Sequence, residues 1–194
     1  MTNNFSQTID KAFVENNVLA CVRPHTEDEV ATMPLADLDL YFRCVLSDSD
    51  EGVNSFKVTK DLMKNYGLEM CTLRSRALSK AAETVTCKTM AETLGMPADD
   101  DLPLYVLSTE NMIEGAGSAL LYTAKLKELA HRLNEEKLFV IPSSIHEVLA
   151  LPMDEDMRDG IDQMIQAINK TQVLPEERLS SHVYVFDSVT EKIS

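Results

Sequence analysis

Runs of apolar residues broken by clusters of polar and turn-forming residues divide this chain into short elements, and the spacing within each run predicts its type. The β-rich run "LDLYFRCVL" (38–46) is followed by the turn residues "SDSDEG" (47–52) and by "VNSFKVT" (53–59), which reads as the returning strand of a hairpin. Thr59 is placed to cap a helix over "KDLMKNY", and Gly67 stands where a left-handed C-terminal residue belongs. A second helix is predicted from about residue 69, with Met70, Leu73, Ala77, Ala81 and Val85 at helical spacing. A short helical turn around Met90 and Leu94 closes at Gly95, before Pro97. Upstream, "AFVENNVLACV" fits a short helix or a strand, and "RPHTEDEVATMP" reads as a loop.

Beyond "PADDDLP" (97–103), the candidate linker, the pattern predicts a strand at "LYVLS" (104–108) and a partner strand at "GAGSALLY" (115–122). Thr123 then caps a helix striped by Leu126, Leu129, Ala130 and Leu133. Strands follow at "KLFVI" (137–141) and "IHEVLAL" (145–151), joined through Pro142, Ser143 and Ser144. Asp154 caps an amphipathic helix whose apolar stripe is Met157, Ile161, Met164, Ile165 and Ile168. The last strand, "HVYVFDS" (182–188), puts His182, Tyr184 and Phe186 on one face and Val183 and Val185 on the other. The expected fold is α+β, with helices packed on antiparallel sheet. The segments "VLSDSDEGVNS" (45–55) and "VLSTENMIEGAGS" (106–118) echo each other, which suggests two related hairpin–helix halves, 1–97 and 98–194, in one compact unit.

With 194 residues and 44% hydrophobic content, the chain is long enough for one substantial core, so disorder is excluded. No run reaches the length of a membrane helix, and "MTNNFSQTID" lacks a signal-peptide layout, so a cytoplasmic protein without a membrane partner is expected. Cys21, Cys44, Cys71 and Cys87 are widely spaced and read as reduced, mostly buried thiols. The formal net charge is −14, and residues 98–194 carry 18 acids against 8 bases. Such a surface repels phosphate backbones, disfavouring direct nucleic-acid binding and favouring a basic protein partner.

Candidate chemistry is sparse. A nucleophilic serine needs a base in reach, and Ser144 with His146, helped by His182 if the last strand neighbours 145–151, is the one hydrolase arrangement the sequence offers. No GxSxG elbow accompanies it, and Ser143–Ser144 after Pro142 fits a turn better. His25, His131, His146 and His182 have no metal-ligand spacing, "DSDEG" (48–52) is an incomplete calcium loop, and "EGAGS" (114–118) matches no phosphate-binding loop; no metal or cofactor is expected. The acidic runs Asp99–Asp100–Asp101, Asp154–Glu155–Asp156 and Glu176–Glu177 are the candidate partner-binding residues.

The stretches "DLDLYFRCVLSDSDEGVNSFKVTKDLMKNYGL", "LYVLSTENMIEGAGSALLY", "LFVIPSSIHEVLALP" and "INKTQVLPEERLSSHVYVFD" together resemble a family of uncharacterised bacterial proteins found in gut anaerobes and their mobile elements. The resemblance spans roughly residues 35–190 and implies no catalytic residue. With the charge, it leads to the expectation of a non-enzymatic binding protein, a mobile-element or phage accessory factor that inhibits a basic nucleic-acid-handling host defence protein in the manner of acidic anti-CRISPR proteins. The alternatives are the small hydrolase and a regulatory or antitoxin-type interaction protein, for which an exposed apolar patch would be the sign. The sequence sets no oligomeric state.

Overall fold

The computed structural model describes residues 9–49, 52–97, 103–112 and 114–194. Asp10 caps the short helix α1 (Lys11–Asn16), and the chain passes directly into strand β1 (Val18–Pro24), so the ambiguous N-terminal segment is both helix and strand. Strands β2 (Thr32–Leu35), β3 (Leu38–Ser49) and β4 (Gly52–Lys57) complete a first antiparallel sheet in which β3 pairs β1 on one side and β2 and β4 on the other. The predicted hairpin over 38–59 is thus β3 and β4, with a register shift between Val45 and Ser47. Two of its turn residues, Asp50 and Glu51, lie outside the described residues.

Helix α2 (Lys60–Tyr66) starts with the Thr59 hydroxyl accepting the Leu62 N–H at 3.1 Å and ends at Gly67 with φ 60°. Helix α3 (Met70–Thr84) buries Leu73, Ala77 and Ala81. The helical spacing had carried this element through Val85, but Val85–Thr89 is strand β5, because pairing with the second sheet outweighs the period. Helix α4 (Met90–Leu94) opens with a capping box between Thr89 and Glu92 and closes at Gly95, φ 65°.

The second sheet contains β6 (Tyr105–Thr109), β7 (Lys137–Ile141), β8 (Val148–Pro152), β9 (Tyr184–Asp187) and β10 (Lys192–Ile193). It is antiparallel throughout, in the order β10-β9-β7-β8-β6-β5. The segment expected to pair with β6 as a strand is instead helix α5 (Gly115–Leu121), buried at every residue. Its small residues let it lie between β1 of the first sheet and β6 of the second. A Cβ on Gly117 would come within 2.7 Å of the Ala20 carbonyl carbon, and one on Gly115 within 2.7 Å of the His146 carbonyl. The echo of hairpin–helix halves therefore fails, since β6 runs into a helix without a returning strand. The 97/98 division does not part the sheets either, because β5 belongs to the second one.

Helix α6 (Ala124–Leu133) buries Leu126, Leu129 and Ala130, as its stripe requires. Helix α7 (Arg158–Thr171) covers the far face of the second sheet, packing Ile161 and Ile165 on Phe139, Ile141 and Val183. Met157 and Met164, expected in the same stripe, are 50% and 45% exposed, because the sheet contacts only the isoleucine side of the helix. One core runs from Val14 through Phe42, Leu73, Leu107 and Leu120 to Phe186, joining both sheets. Among the described residues no helix is long and apolar enough to cross a membrane.

Candidate functional site

Glu114, in the left-handed region at φ 47°, turns the chain into α5 and brings three segments together. On its backbone side, the Glu114 N–H points at His146 Nδ1, 3.4 Å away, while His146 Nε2 lies 3.4 Å from the Glu177 carboxylate. Those partners make Nδ1 the acceptor and put the ring proton on Nε2. The loop carrying His146 is held by the Ser108 hydroxyl, which donates to the His146 carbonyl at 2.7 Å, and by the Ala116 N–H on the Ile145 carbonyl at 3.1 Å.

On its side-chain side, Glu114 reaches the outer face of the first sheet. The Cys21 thiol donates to Glu114 Oε2 at 2.8 Å, and Arg43 Nε stands 3.6 Å from the same oxygen while donating to the Ser55 hydroxyl at 2.8 Å. Burial first, then the neighbouring Glu114 carboxylate, pushes the Cys21 thiol well above its ordinary range. Burial does the same to the Tyr41 phenol beside it. A thiol held neutral and donating is the opposite of a thiolate nucleophile, so this cluster fastens α5 to β1 and β3.

The loop 142–147 does not form the strand expected from residue 145; β8 begins at Val148. Ser144 is buried, donates to the Glu147 carboxylate at 3.1 Å and accepts the His146 N–H at 3.1 Å. The imidazole of His146 is turned toward Glu114 and Glu177, so Ser144 and His146 do not form a nucleophile–base pair. His182 bonds to other groups, and its strand is not next to 145–151, because β9 pairs β7 and β7 separates it from β8. Its Nδ1 meets the Ser180 hydroxyl at 3.0 Å, its Nε2 is 3.8 Å from Asp37, and its ring packs edge-on to Tyr184 with centroids 5.0 Å apart. The Tyr184 hydroxyl donates to Asp37, tying the β2–β3 turn to the second sheet.

Of the acidic candidates, Asp99, Asp100 and Asp101 lie outside the described residues. Asp154, Glu155 and Asp156 are exposed where β8 passes into α7, and Glu155 is gripped by Arg158 through bonds of 2.7 and 3.0 Å. Glu176 and Glu177 stand beyond the other end of α7, with Glu177 turned to His146. A 14-residue helix is about 21 Å long, so the two runs are not one patch. Other acids do join the first run. Lys137 opens β7 opposite Asp187 and Leu138 pairs Pro152; the Arg158 bond first, with Lys137 adding to it, lowers the Glu155 carboxyl, and the Thr190 N–H and hydroxyl first, with the Val189 N–H and Lys137 adding to them, lower that of Asp187. One end of the second sheet thus displays Glu135, Glu136, Asp154, Glu155, Asp156 and Asp187, with Lys137 among them and Lys192 opposite Asp187 on β10. Among the described residues, Glu135, Glu136 and Asp156 are exposed and have no ion-pair partner.

Cys21 and Cys44 are buried, Cys87 is half-buried and Cys71 is exposed; all four thiols are free. Among the described residues no group of three or more His, Cys, Asp and Glu side chains is placed to hold a metal ion. A cleft of about 560 Å³ lies elsewhere, between the β3–β4 arm and the end of α3, lined by Leu19, Leu46, Val53, Lys80 and Glu110 among others. The roles of Cys21, Arg43 and Glu114 had no signature in the sequence, since Cys21 and Glu114 are 93 positions apart.

Residues 27–188 match the model of DUF5688, described as a family of unknown function. No curated protein and no solved structure matches the chain.

Proposed function

The chain belongs to the DUF5688 family, and from that premise we propose that it is a non-enzymatic binding protein whose acidic surface docks on a basic protein. One observation carries the reading: in a chain of net charge −14, acids from the α6–β7 turn, the β8–α7 junction and the end of β9 converge on one end of the second sheet, several of them unpaired. Unpaired exposed carboxylates raise the local negative potential, which speeds encounter with a lysine- and arginine-rich surface and repels nucleic acid. Grooves that bind phosphate backbones are lined by lysine and arginine, which favours a nucleic-acid-handling partner. The finer form of the proposal is a mobile-element or phage accessory factor that blocks such a defence protein. The hydrolase reading gains no support from the site, since the Ser144 hydroxyl is engaged by Glu147 and not by an imidazole.

The test is affinity capture of the tagged protein from host lysate with washes of rising salt, beside the triple variant Glu135→Gln, Glu136→Gln, Asp156→Asn. A basic partner that is released by salt and lost with the triple variant is the expected result. Capture that ignores both salt and the triple substitution would remove this surface from the explanation.

A further inference from the structure

Strand β3 outlasts its partner β1, and the difference leaves a bare edge. Pairing with β1 begins at Val18 opposite Cys44, the Val45 N–H adds one bond to the Asn17 carbonyl, and the chain before Asn17 is α1, which offers no further strand. From Leu46 to Ser49, β3 is paired with β4 alone among the described residues, so its other side runs for about 13 Å without a strand to bond. This edge forms one wall of the cleft of about 560 Å³, whose other walls are the end of α3 and the end of β6. Leu19, Leu46 and Val53 give the cleft apolar surface, and Leu46, at the register shift, is 41% exposed. Asp48 and Glu110 bring two carboxylates to it and Lys80 one ammonium, and among the described residues none of the three has an ion-pair partner.

We propose that the cleft takes an extended peptide segment carrying lysine or arginine, which adds to β3 as a strand in the row that β1 leaves empty. Such a segment answers every feature of the site: its amides bond the bare edge, its apolar side chains cover Leu46, and its basic side chains meet Asp48 and Glu110. Lys80 leaves the cleft one negative charge in surplus, which sets the sign of the preferred side chain. A compact apolar ligand would cover the leucines and leave the edge unbonded. The cleft and the acidic surface lie at opposite ends of the second sheet, since β6 reaches the cleft beyond Leu107, opposite Val148, whereas the acids gather beyond Pro152. The inference therefore stands without the docking proposed for that surface.

Panning a phage-displayed library of random decapeptides on the full chain tests the site. Enriched sequences should combine lysine or arginine with β-branched residues. The strongest binder is then synthesised with every second backbone nitrogen methylated, in each of the two phases. Only alternate amides of an added strand face β3, so one phase should bind about tenfold more weakly or worse and the other should bind nearly as well as the parent. The double variant Leu46→Lys, Glu110→Lys should weaken the parent peptide by about tenfold or more, whereas the triple variant at the acidic end leaves its affinity unchanged. Both replaced side chains are exposed, and circular dichroism confirms that each variant is folded. A library that yields no binder overturns the proposal, and so does a binder that ignores methylation in both phases or the double substitution in the cleft.

Discussion

Cys21 shows how a side chain's meaning depends on its neighbours: alone it is a buried thiol, and beside Glu114 it is a hydrogen-bond donor that keeps its proton. A folded-state pKa raised above the unfolded value contributes stability that is fully present below the unfolded value, near pH 9, and is lost as pH rises through the folded one. Cys44, pushed up to about 11 by burial, acts in the same sense. Urea titrations at stepped pH should therefore show stability falling above pH 9, and less steeply in Cys21→Ala than in the wild type; equal slopes would mean that Cys21 ionises as freely in the fold as outside it. Removing the acceptor is harsher. Glu114→Ala leaves a partly buried guanidinium and a buried thiol without their carboxylate, at a cost of about 2–3 kcal/mol. Ser144→Ala, which loses the bonds to Glu147 and to the His146 N–H, should cost about 1 kcal/mol in the same titration.

Two helices give glycine opposite values. In α5, Gly117 lies against the backbone of Ala20 and Cys21, so Gly117→Ala forces the helix away from β1 and should destabilise the fold by about 1–3 kcal/mol. In α7, Gly160 faces open space, and Gly160→Ala should stabilise the fold by roughly 0.5–1 kcal/mol through helix propensity. The same substitution thus changes sign between two elements, and thermal melts of both variants at low protein concentration would read it. The fate of α5 also shows why pattern alone misassigns an element. "GAGSALL" has neither an apolar stripe nor an alternation, because a helix touched by β1, β6 and α3 has no solvent face to mark with polar residues.

Across the whole molecule, the two sheets share one core, and Leu107 on β6 lies fully buried in it with Phe42 of the first sheet and Phe186 of the second. Unfolding should accordingly be a single transition, with probes in residues 9–97 and 103–194 melting together, and Leu107→Ala should lower the stability that both report by about 2–5 kcal/mol. Separate transitions would show that the halves have cores of their own. The surplus of acids acts at this scale too, since self-repulsion in a chain of net charge −14 is screened by salt; the melting temperature should rise between low and physiological ionic strength.

The α+β class, the β3–β4 hairpin, the caps at Thr59, Gly67, Thr89 and Gly95, and the strand at 137–141 follow from local chemistry, in which propensity, turn residues and capping act within a few positions of one another. What only the tertiary structure decided is longer in range. It made α5 a helix by burying it on all sides, took Val85 from α3 into β5 by offering it β6 as a partner, and turned Met157 and Met164 outward because one sheet face meets one side of α7. It also joined Cys21 to Glu114 and separated Ser144 from the imidazole of His146. Contacts between residues far apart in the chain depend on how sheets and helices stack, and no periodicity within a segment encodes that.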